Sequence, residues 1–90
     1  MLLIEWSKEA AADVAGIIEY VAERNPKAAN ELEQRIADCV ERLAAWPMMC
    51  RPGRIAGTRE YVITSSYVLV YRVTERLDIL RVIHTSREYP

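Results

Sequence analysis

The sequence predicts an α+β fold: an N-terminal strand, an antiparallel helical hairpin and a three-stranded antiparallel meander, with all strands in one sheet. Two segments of the first half repeat apolar residues every three or four positions, which is the spacing of an amphipathic helix. Three shorter apolar runs follow at 61–63, 67–73 and 78–84, and the first two are rich in Val, Ile and Tyr. Short breaks between such runs indicate antiparallel neighbours. A single domain, 1–90, is expected.

The first half contains clear start and stop signals for its elements. A strand is predicted at Leu2–Trp6, at one edge of an antiparallel sheet, and Ser7 suits the N-cap of the first helix. Asn25 and Pro26 separate the two helices, because Asn caps a helix and Pro fits its first turn. Helices joined by so few residues run antiparallel. The two apolar stripes comprise Ala11, Val14, Ile17, Ile18 and Val21, and then Ala29, Leu32, Ile36, Cys39, Val40, Leu43 and Trp46.

The second stripe and the segment that follows it predict the environment of several side chains. Cys39 and Trp46 lie on the second stripe, so both are predicted to be core residues. The segment from Pro47 to Thr58 is predicted to be a loop, because two glycines and a proline interrupt it. Three arginines cluster in and after this loop, either as a solvated face or as a seat for an anion: Arg51, Arg54 and Arg59.

Composition narrows the class of protein. The formal net charge is −1, but the charges are unevenly distributed. Residues 1–48 contain five Lys/Arg and nine Asp/Glu, whereas residues 49–90 contain seven Arg and four Asp/Glu. Arginine is the cation suited to bidentate contact with carboxylate or phosphate. No apolar run approaches the roughly 18 residues of a membrane span. Cys39 and Cys50 fit neither a disulfide framework nor, with a single His, a metal site. We therefore expect a cytoplasmic protein without metal or cofactor.

Motifs of the second half, in their order, resemble a known family. Gly53–Glu60, GRIAGTRE, is similar to a GR-x-x-GTRE loop, and Tyr67–Val73 is similar to the central strand that follows it. The ending Ile79–His84 with Arg87 and Pro90 resembles an ILRV-x-H-x-x-R-x-x-P tail. Together with the helix-hairpin break, these motifs resemble the RelE/ParE superfamily of type II toxin–antitoxin toxins over nearly the whole chain.

The sequence departs from the pattern of these relatives at two positions. Cys50 stands where relatives often carry Gly, and Tyr89 stands where many carry Trp.

The resemblance implies a toxin that arrests growth and is neutralised by a cognate antitoxin. A ParE-like member poisons DNA gyrase, whereas a RelE-like member is a metal-free endoribonuclease that cuts mRNA on the ribosome. The ribonuclease would use Arg59, Arg72 and Arg81 for charge and His84 and Tyr89 for proton transfer. The alternative roles are structural: His84 satisfies a backbone group, and Arg72 and Arg81 pair with Glu60, Glu75 or Asp78 across strands. The low net charge favours the gyrase interpretation, because a strongly basic surface for rRNA is lacking. A third class is a bare interaction module or a decayed toxin.

Two sets of binding residues follow. Both faces of the meander carry apolar residues, and a hairpin covers only one, so the other is expected to be an exposed apolar surface for the antitoxin. The target-binding residues are expected at the positively charged end of the chain, where charged side chains are seldom core. The antitoxin set is Tyr67, Leu69, Tyr71, Ile79 and Ile83; the target set is Arg54, Arg59, Arg72, Arg81, His84 and Arg87.

Overall fold

The computed structural model describes residues 1–86, in which a helical hairpin packs on one face of a five-stranded sheet. The sheet order is β1-β5-β4-β3-β2, so β5 and β4 are central. This is the α+β architecture predicted from the sequence. The elements are β1 Ile4–Trp6, α1 Lys8–Arg24, α2 Pro26–Ala45, β2 Arg51–Pro52, β3 Arg59–Val62, β4 Tyr67–Val73 and β5 Leu77–His84.

The helices begin where the sequence signals placed them. Ser7 caps α1, and its Oγ accepts the Ala10 N–H at 2.9 Å. Asn25 caps α2, and its Oδ1 accepts the Ala28 N–H at 3.1 Å, with Pro26 as the first helical residue. Each cap satisfies a backbone donor that has no partner within the helix. Neither helix is both long and apolar enough to cross a membrane, which holds for the whole of residues 1–86.

The sheet is mixed rather than wholly antiparallel, which corrects the sequence prediction. β3, β4 and β5 form the predicted antiparallel meander. β1 lies at the predicted edge but is shorter than expected and pairs parallel to β5, with Ile4 opposite Leu77. The reason is the hairpin, which returns the chain to the start of β1, where the Leu2 N–H donates to the Ala44 carbonyl at 3.0 Å. The antiparallel meander then leaves β5 running in the direction of β1.

The predicted loop contains a short strand. β2 pairs antiparallel to β3, with Arg51 opposite Glu60, although glycine and proline were expected to exclude regular structure. The turn beyond it closes through the Gly53 N–H, which donates to the Thr58 carbonyl at 2.7 Å. Gly57 has a φ of 83°, a left-handed conformation that glycine adopts without steric cost. Regular pairing therefore continues almost to the tip of this segment.

The core lies between the hairpin and the inner face of the sheet. Cys39 is buried, as predicted, and burial raises the pKa of its thiol. On α1 the buried alanine is Ala10, whereas Ala11 of the predicted stripe is exposed. Trp46 is 68% exposed, so its prediction as a core residue is wrong. The reason is that α2 ends at Ala45, so Trp46 is the C-cap and no longer continues the helical stripe.

The outer face of the sheet is not the large exposed apolar surface that the alternation predicted. Leu69, Tyr71 and Ile79 are each 0% exposed within the core against the helices. The outer face instead has a small buried cluster of Val68, Val70 and Ile83, and charged residues lie on the same face. The expectation is wrong because Leu69, Tyr71 and Ile79 point inward to the core.

A bulge in β5 connects the sheet to α1. Val70 pairs with Arg81 and Tyr71 pairs with Ile79, so Leu80 is an extra residue on β5. A bulge leaves ladder groups unpaired. Here the Leu80 carbonyl accepts the Ser7 hydroxyl at 2.9 Å, while the N–H of the next inward residue, Val82, donates to a carboxylate of α1. The start of α1 therefore provides hydrogen bonds that the bulged strand lacks.

Replacing Ser7 with Ala is expected to lower the free energy of unfolding by about 1–2 kcal/mol, because the N-cap acceptor and the donor to Leu80 are both lost. Urea denaturation followed by circular dichroism measures the change. Ser65→Ala, at an exposed turn position, is the control and should change stability by less than about 0.5 kcal/mol. Equal losses in the two variants would contradict this role of Ser7.

Candidate functional site

A groove runs between α1 and the end of the β4–β5 pair. We call it the α1 groove; its volume is about 560 Å³. Ile17 contributes apolar surface, and Tyr20 and Tyr67 also line the groove. Its size and mainly apolar lining are typical of a binding groove. The lining residues are Ala12, Asp13, Gly16, Ile17, Tyr20, Tyr67, Val82, Ile83, His84 and Ser86.

The α1 side of the groove is kept open by small residues. Ala12 and Gly16 lie one helical turn apart, and a Cβ built on Gly16 meets no atom within 4 Å. Tyr20, one turn further, is 56% exposed, and the Arg24 guanidinium lies 3.7 Å from its ring centroid. Cation–π contact holds the ring in place without covering the groove. The groove is thus shaped by side chains whose positions are fixed.

His84 lies at the junction of two cavities. Its ring contacts Tyr67 edge-on, with centroids 5.4 Å apart and planes at 82°. The Ser86 N–H donates to Nδ1 at 3.1 Å, and the Ser86 Oγ lies 2.6 Å from the same nitrogen. The ring therefore satisfies a backbone group, which is the structural role that the sequence left open beside a catalytic one. His84 is nevertheless exposed, so it is also available to a partner.

A second, smaller cavity of about 80 Å³ lies on the outer face, and we call it the loop cleft. Glu60, 6% exposed, organises it by accepting the Arg54 backbone N–H at 3.1 Å and an Arg51 guanidinium N–H at 3.3 Å. A buried carboxylate needs such partners to remain charged. The lining residues are Arg51, Arg54, Glu60, Val68, Ile83, His84 and Thr85.

The other predicted cationic residues do not converge on either cavity. Arg59 is half-buried and donates through Nη1 to the Cys50 carbonyl at 2.6 Å. Arg72 lies on the outer face, with Nη2 3.8 Å from Asp78 Oδ2. That ion pair is one of the cross-strand pairings that the sequence offered as an alternative role for Arg72. Both arginines therefore have defined internal partners.

Arg81 makes the most extensive of these contacts, to α1. Its Nε and Nη2 donate to the two oxygens of Asp13 at 2.7 and 3.1 Å, and the Val82 N–H donates to the same carboxylate at 2.9 Å. Hydrogen bonding to Asp13 raises the pKa of Arg81. Arg81 therefore links β5 to α1 through Asp13. No short sequence pattern signals this pair, because its partners are 68 positions apart.

The remaining predicted residues divide as follows. Arg87 and Tyr89 lie outside the described residues. Of the five predicted antitoxin residues, Tyr67 and Ile83 line the α1 groove, although Ile83 is only 7% exposed; the other three are fully buried. Sequence reasoning missed Tyr20 and Gly16; their four-residue spacing on the polar side of the helical stripe was the available signal. Within residues 1–86 no group of three or more His, Cys, Asp or Glu side chains is arranged to hold a metal ion.

Comparisons with known proteins agree with this architecture. The family model described as the ParE toxin of the type II toxin–antitoxin system parDE matches residues 4–89. The Y4kP protein of Sinorhizobium fredii (strain NBRC 101917 / NGR234), a toxin candidate by its name, is 35% identical over 88 residues, which cover 97% of this chain and 92% of that protein. Toxin RelE2 of Caulobacter vibrioides (strain ATCC 19089 / CIP 103742 / CB 15) is 32% identical over 90 residues, covering 97% and 99%.

Solved structures show the same fold. A chain of the chromosomal ParDE TA system from P. aeruginosa is 26% identical, with a TM-score of 0.81 over 93% of this chain and 96% of that one. Protein HP0894 of Helicobacter pylori, at 20% identity and a TM-score of 0.64 over 99% and 100%, shows the fold alone. The chain belongs to the ParE toxin family of type II toxin–antitoxin systems. The resemblance drawn from its motifs is confirmed.

Proposed function

We propose that this toxin arrests growth by poisoning DNA gyrase and that it needs no catalytic chemistry to do so. The observation that carries the proposal is the pairing of the arginines. A metal-free ribonuclease must direct several cations at one five-coordinate phosphate. Arg59, Arg72 and Arg81 instead bind three different internal partners: the Cys50 carbonyl, Asp78 and Asp13. A surface that only docks on a protein does not need several arginines directed at one point.

The charge of the chain supports the same target. The formal net charge of −1 provides little of the positive field that draws a protein to rRNA. A protein target with a local acidic surface needs only local positive charge, and seven arginines lie in residues 49–90. Gyrase acts in the cytoplasm, so the proposed site of action is the cytoplasm.

The second candidate is a ribosome-dependent endoribonuclease, and one observation favours it. His84, Arg51 and Arg54 line the same small cleft, which brings a potential proton shuttle beside two cations. In that case His84 transfers a proton and the arginines stabilise charge on phosphate. Glu60 accepts an Arg51 guanidinium N–H and the Arg54 backbone N–H in the same cleft, and this carboxylate offsets part of the positive charge offered to a phosphate.

Membership of a toxin–antitoxin family implies a cognate antitoxin, and we place its binding site at the α1 groove. The groove offers Tyr20, Tyr67 and Ile17 to an apolar segment that folds on binding. His84 joins it to the loop cleft, where acidic residues of the antitoxin would meet Arg51 and Arg54. This site replaces the exposed sheet face expected from the sequence, and it keeps Tyr67 and Ile83 as contacts.

The two candidate targets predict opposite results for His84→Gln, a substitution that keeps hydrogen bonding but removes proton transfer near neutral pH. In the gyrase mechanism the variant should arrest growth as the parent does. Incubation with purified gyrase and supercoiled DNA should then accumulate cleaved DNA for both proteins, whereas programmed ribosomes should retain intact mRNA.

The ribonuclease alternative predicts mRNA cleavage by the parent and a loss of about 10²–10⁴-fold in rate for His84→Gln. Loss of growth arrest in a folded His84→Gln protein, together with cleavage of mRNA by the parent, would overturn the gyrase proposal. Circular dichroism and antitoxin binding establish that each variant is folded.

A further inference from the structure

A second exposed apolar surface lies where α2 ends. Trp46, Met48 and Met49 are 68%, 61% and 46% exposed, and we call these three residues the Trp46 patch. The N-terminal residues Met1 and Leu3, also largely exposed, lie at the same end of α2, because the intervening Leu2 N–H donates to the Ala44 carbonyl. Exposed apolar residues gathered at one place on a small protein are typical of an interaction site.

The exposure of the Trp46 patch is imposed by an anchored backbone. The Trp46 N–H donates to the Arg42 carbonyl at 2.9 Å, and the Met49 N–H donates to the Trp46 carbonyl at 3.3 Å. The Pro47 carbonyl accepts the hydroxyl of Tyr71, a fully buried core residue, at 2.9 Å. The turn is thus fastened to both helix and sheet while its side chains face solvent. A surface fixed in advance loses little conformational entropy when it binds.

The charge around this patch identifies the kind of partner. Residues 42–59 contain four arginines and no Asp or Glu, in a chain whose formal net charge is −1. The complement of that segment is an acidic surface. Two of its arginines, Arg42 and Arg59, donate to Tyr61 and to the Cys50 carbonyl, and Arg51 pairs with Glu60. Hydrogen bonds to a hydroxyl and a carbonyl leave Arg42 and Arg59 charged. The exposed Trp and Met beside them favour a protein partner over a phosphate backbone, because Trp, Met and Arg are the residues enriched in protein interfaces.

The Trp46 patch is separate from the α1 groove. α1 and α2 are antiparallel, so the end of α2 lies beside the start of α1. The groove instead follows α1 from Ala12 to Tyr20, towards the hairpin turn. A partner in the groove and a partner on the patch therefore contact different ends of the hairpin.

We propose that the Trp46 patch docks on an acidic, partly apolar surface of the toxin's protein target. The inference rests on the proposed function, in which that target is DNA gyrase, and it names the residues that make the contact. Trp46 is the anchor, the two methionines adapt to the facing surface, and the arginines of residues 42–59 orient the encounter. The antitoxin contacts the α1 groove and does not depend on the patch.

Trp46→Ala tests the proposal, because removing an aromatic anchor usually weakens binding by about 30-fold or more. The variant should bind purified gyrase at least that much more weakly, measured by surface plasmon resonance, and should no longer arrest growth. Its stability to urea and its affinity for the antitoxin should match those of the parent. Trp46→Phe should recover part of the gyrase affinity, since the ring is kept.

Val62→Ser is the matched control, because Val62 is 51% exposed on β3 and lines neither cavity. It should keep both gyrase binding and growth arrest. Full growth arrest by folded Trp46→Ala would overturn the inference, as would a selective loss of antitoxin affinity in that variant. If the parent does not bind gyrase while Trp46→Ala alone loses growth arrest, the patch is supported and the choice of gyrase is the part that fails.

Discussion

Asp13→Ala is expected to lower the free energy of unfolding by about 2–3 kcal/mol. Most of the loss comes from the N–H of Val82, which is 2% exposed and would lose its acceptor, at a cost of about 1–3 kcal/mol. The ion pair adds less, about 0–1 kcal/mol, because the Arg81 side chain is 45% exposed to water. The better helix propensity of Ala offsets up to about 0.7 kcal/mol. Urea denaturation measures the difference.

Asp38→Ala is the control for Asp13→Ala. Asp38 lies on the exposed side of α2 and accepts a hydrogen bond from Gln34 at the surface, so the substitution brings the same gain in propensity with little loss of contact. Asp13→Asn keeps an acceptor for Val82 and should lie between the parent and Asp13→Ala. Equal stability of the Asp13→Ala and Asp38→Ala proteins would show that the contact between α1 and β5 does not stabilise the fold.

Gly16→Gln is expected to weaken antitoxin binding by about 100-fold, which corresponds to about 2.7 kcal/mol. The new side chain would enter the α1 groove from its open side, where nothing within 4 Å opposes the Cβ. It would occupy space that a bound segment needs, which is a steric mechanism of discrimination. The toxin itself should gain up to about 1 kcal/mol in stability, because glycine is a poor helix residue.

The measurement for Gly16→Gln is isothermal titration with the purified antitoxin, together with growth of cells that express both proteins. Growth arrest should persist despite the antitoxin, since the groove is not the proposed target surface. Ala15→Gln, at the neighbouring exposed position outside the groove, is the control and should remain neutralised. Unchanged affinity of Gly16→Gln would exclude the α1 groove as the antitoxin site.

The sequence predicts this fold well wherever the determinants are local. Ser7 and Asn25 cap the helices that they were expected to cap, because a cap depends on residues within one turn. The meander follows from runs of strand-forming residues with short breaks. The core residues predicted on α2 are wrong only at Trp46, because the periodicity of apolar residues does not show where a helix ends.

The features that the sequence did not reveal are non-local. The parallel pairing of β1 with β5, the hydrogen bond from Ser7 to the bulged Leu80 and the contact between Asp13 and Arg81 all join positions about seventy residues apart. No short pattern encodes such a pair. The candidate site shows the same division. Its arginines could be predicted from the residue type, but the internal partner of each arginine depends on residues that are distant in the sequence.

The position of β5 has a consequence for how the toxin is made. β5 lies between β1, near the N-terminus, and β4, so the sheet is divided until Leu77–His84 has been synthesised. The bulge contacts to Ser7 and Asp13 form only at that same late stage. Pairing over such a separation is slow, because the loop must close before the contacts form. A polypeptide that ends before Leu77 therefore lacks an interior strand of the sheet and its contacts to Ser7 and Asp13, and we expect it not to fold into the toxin.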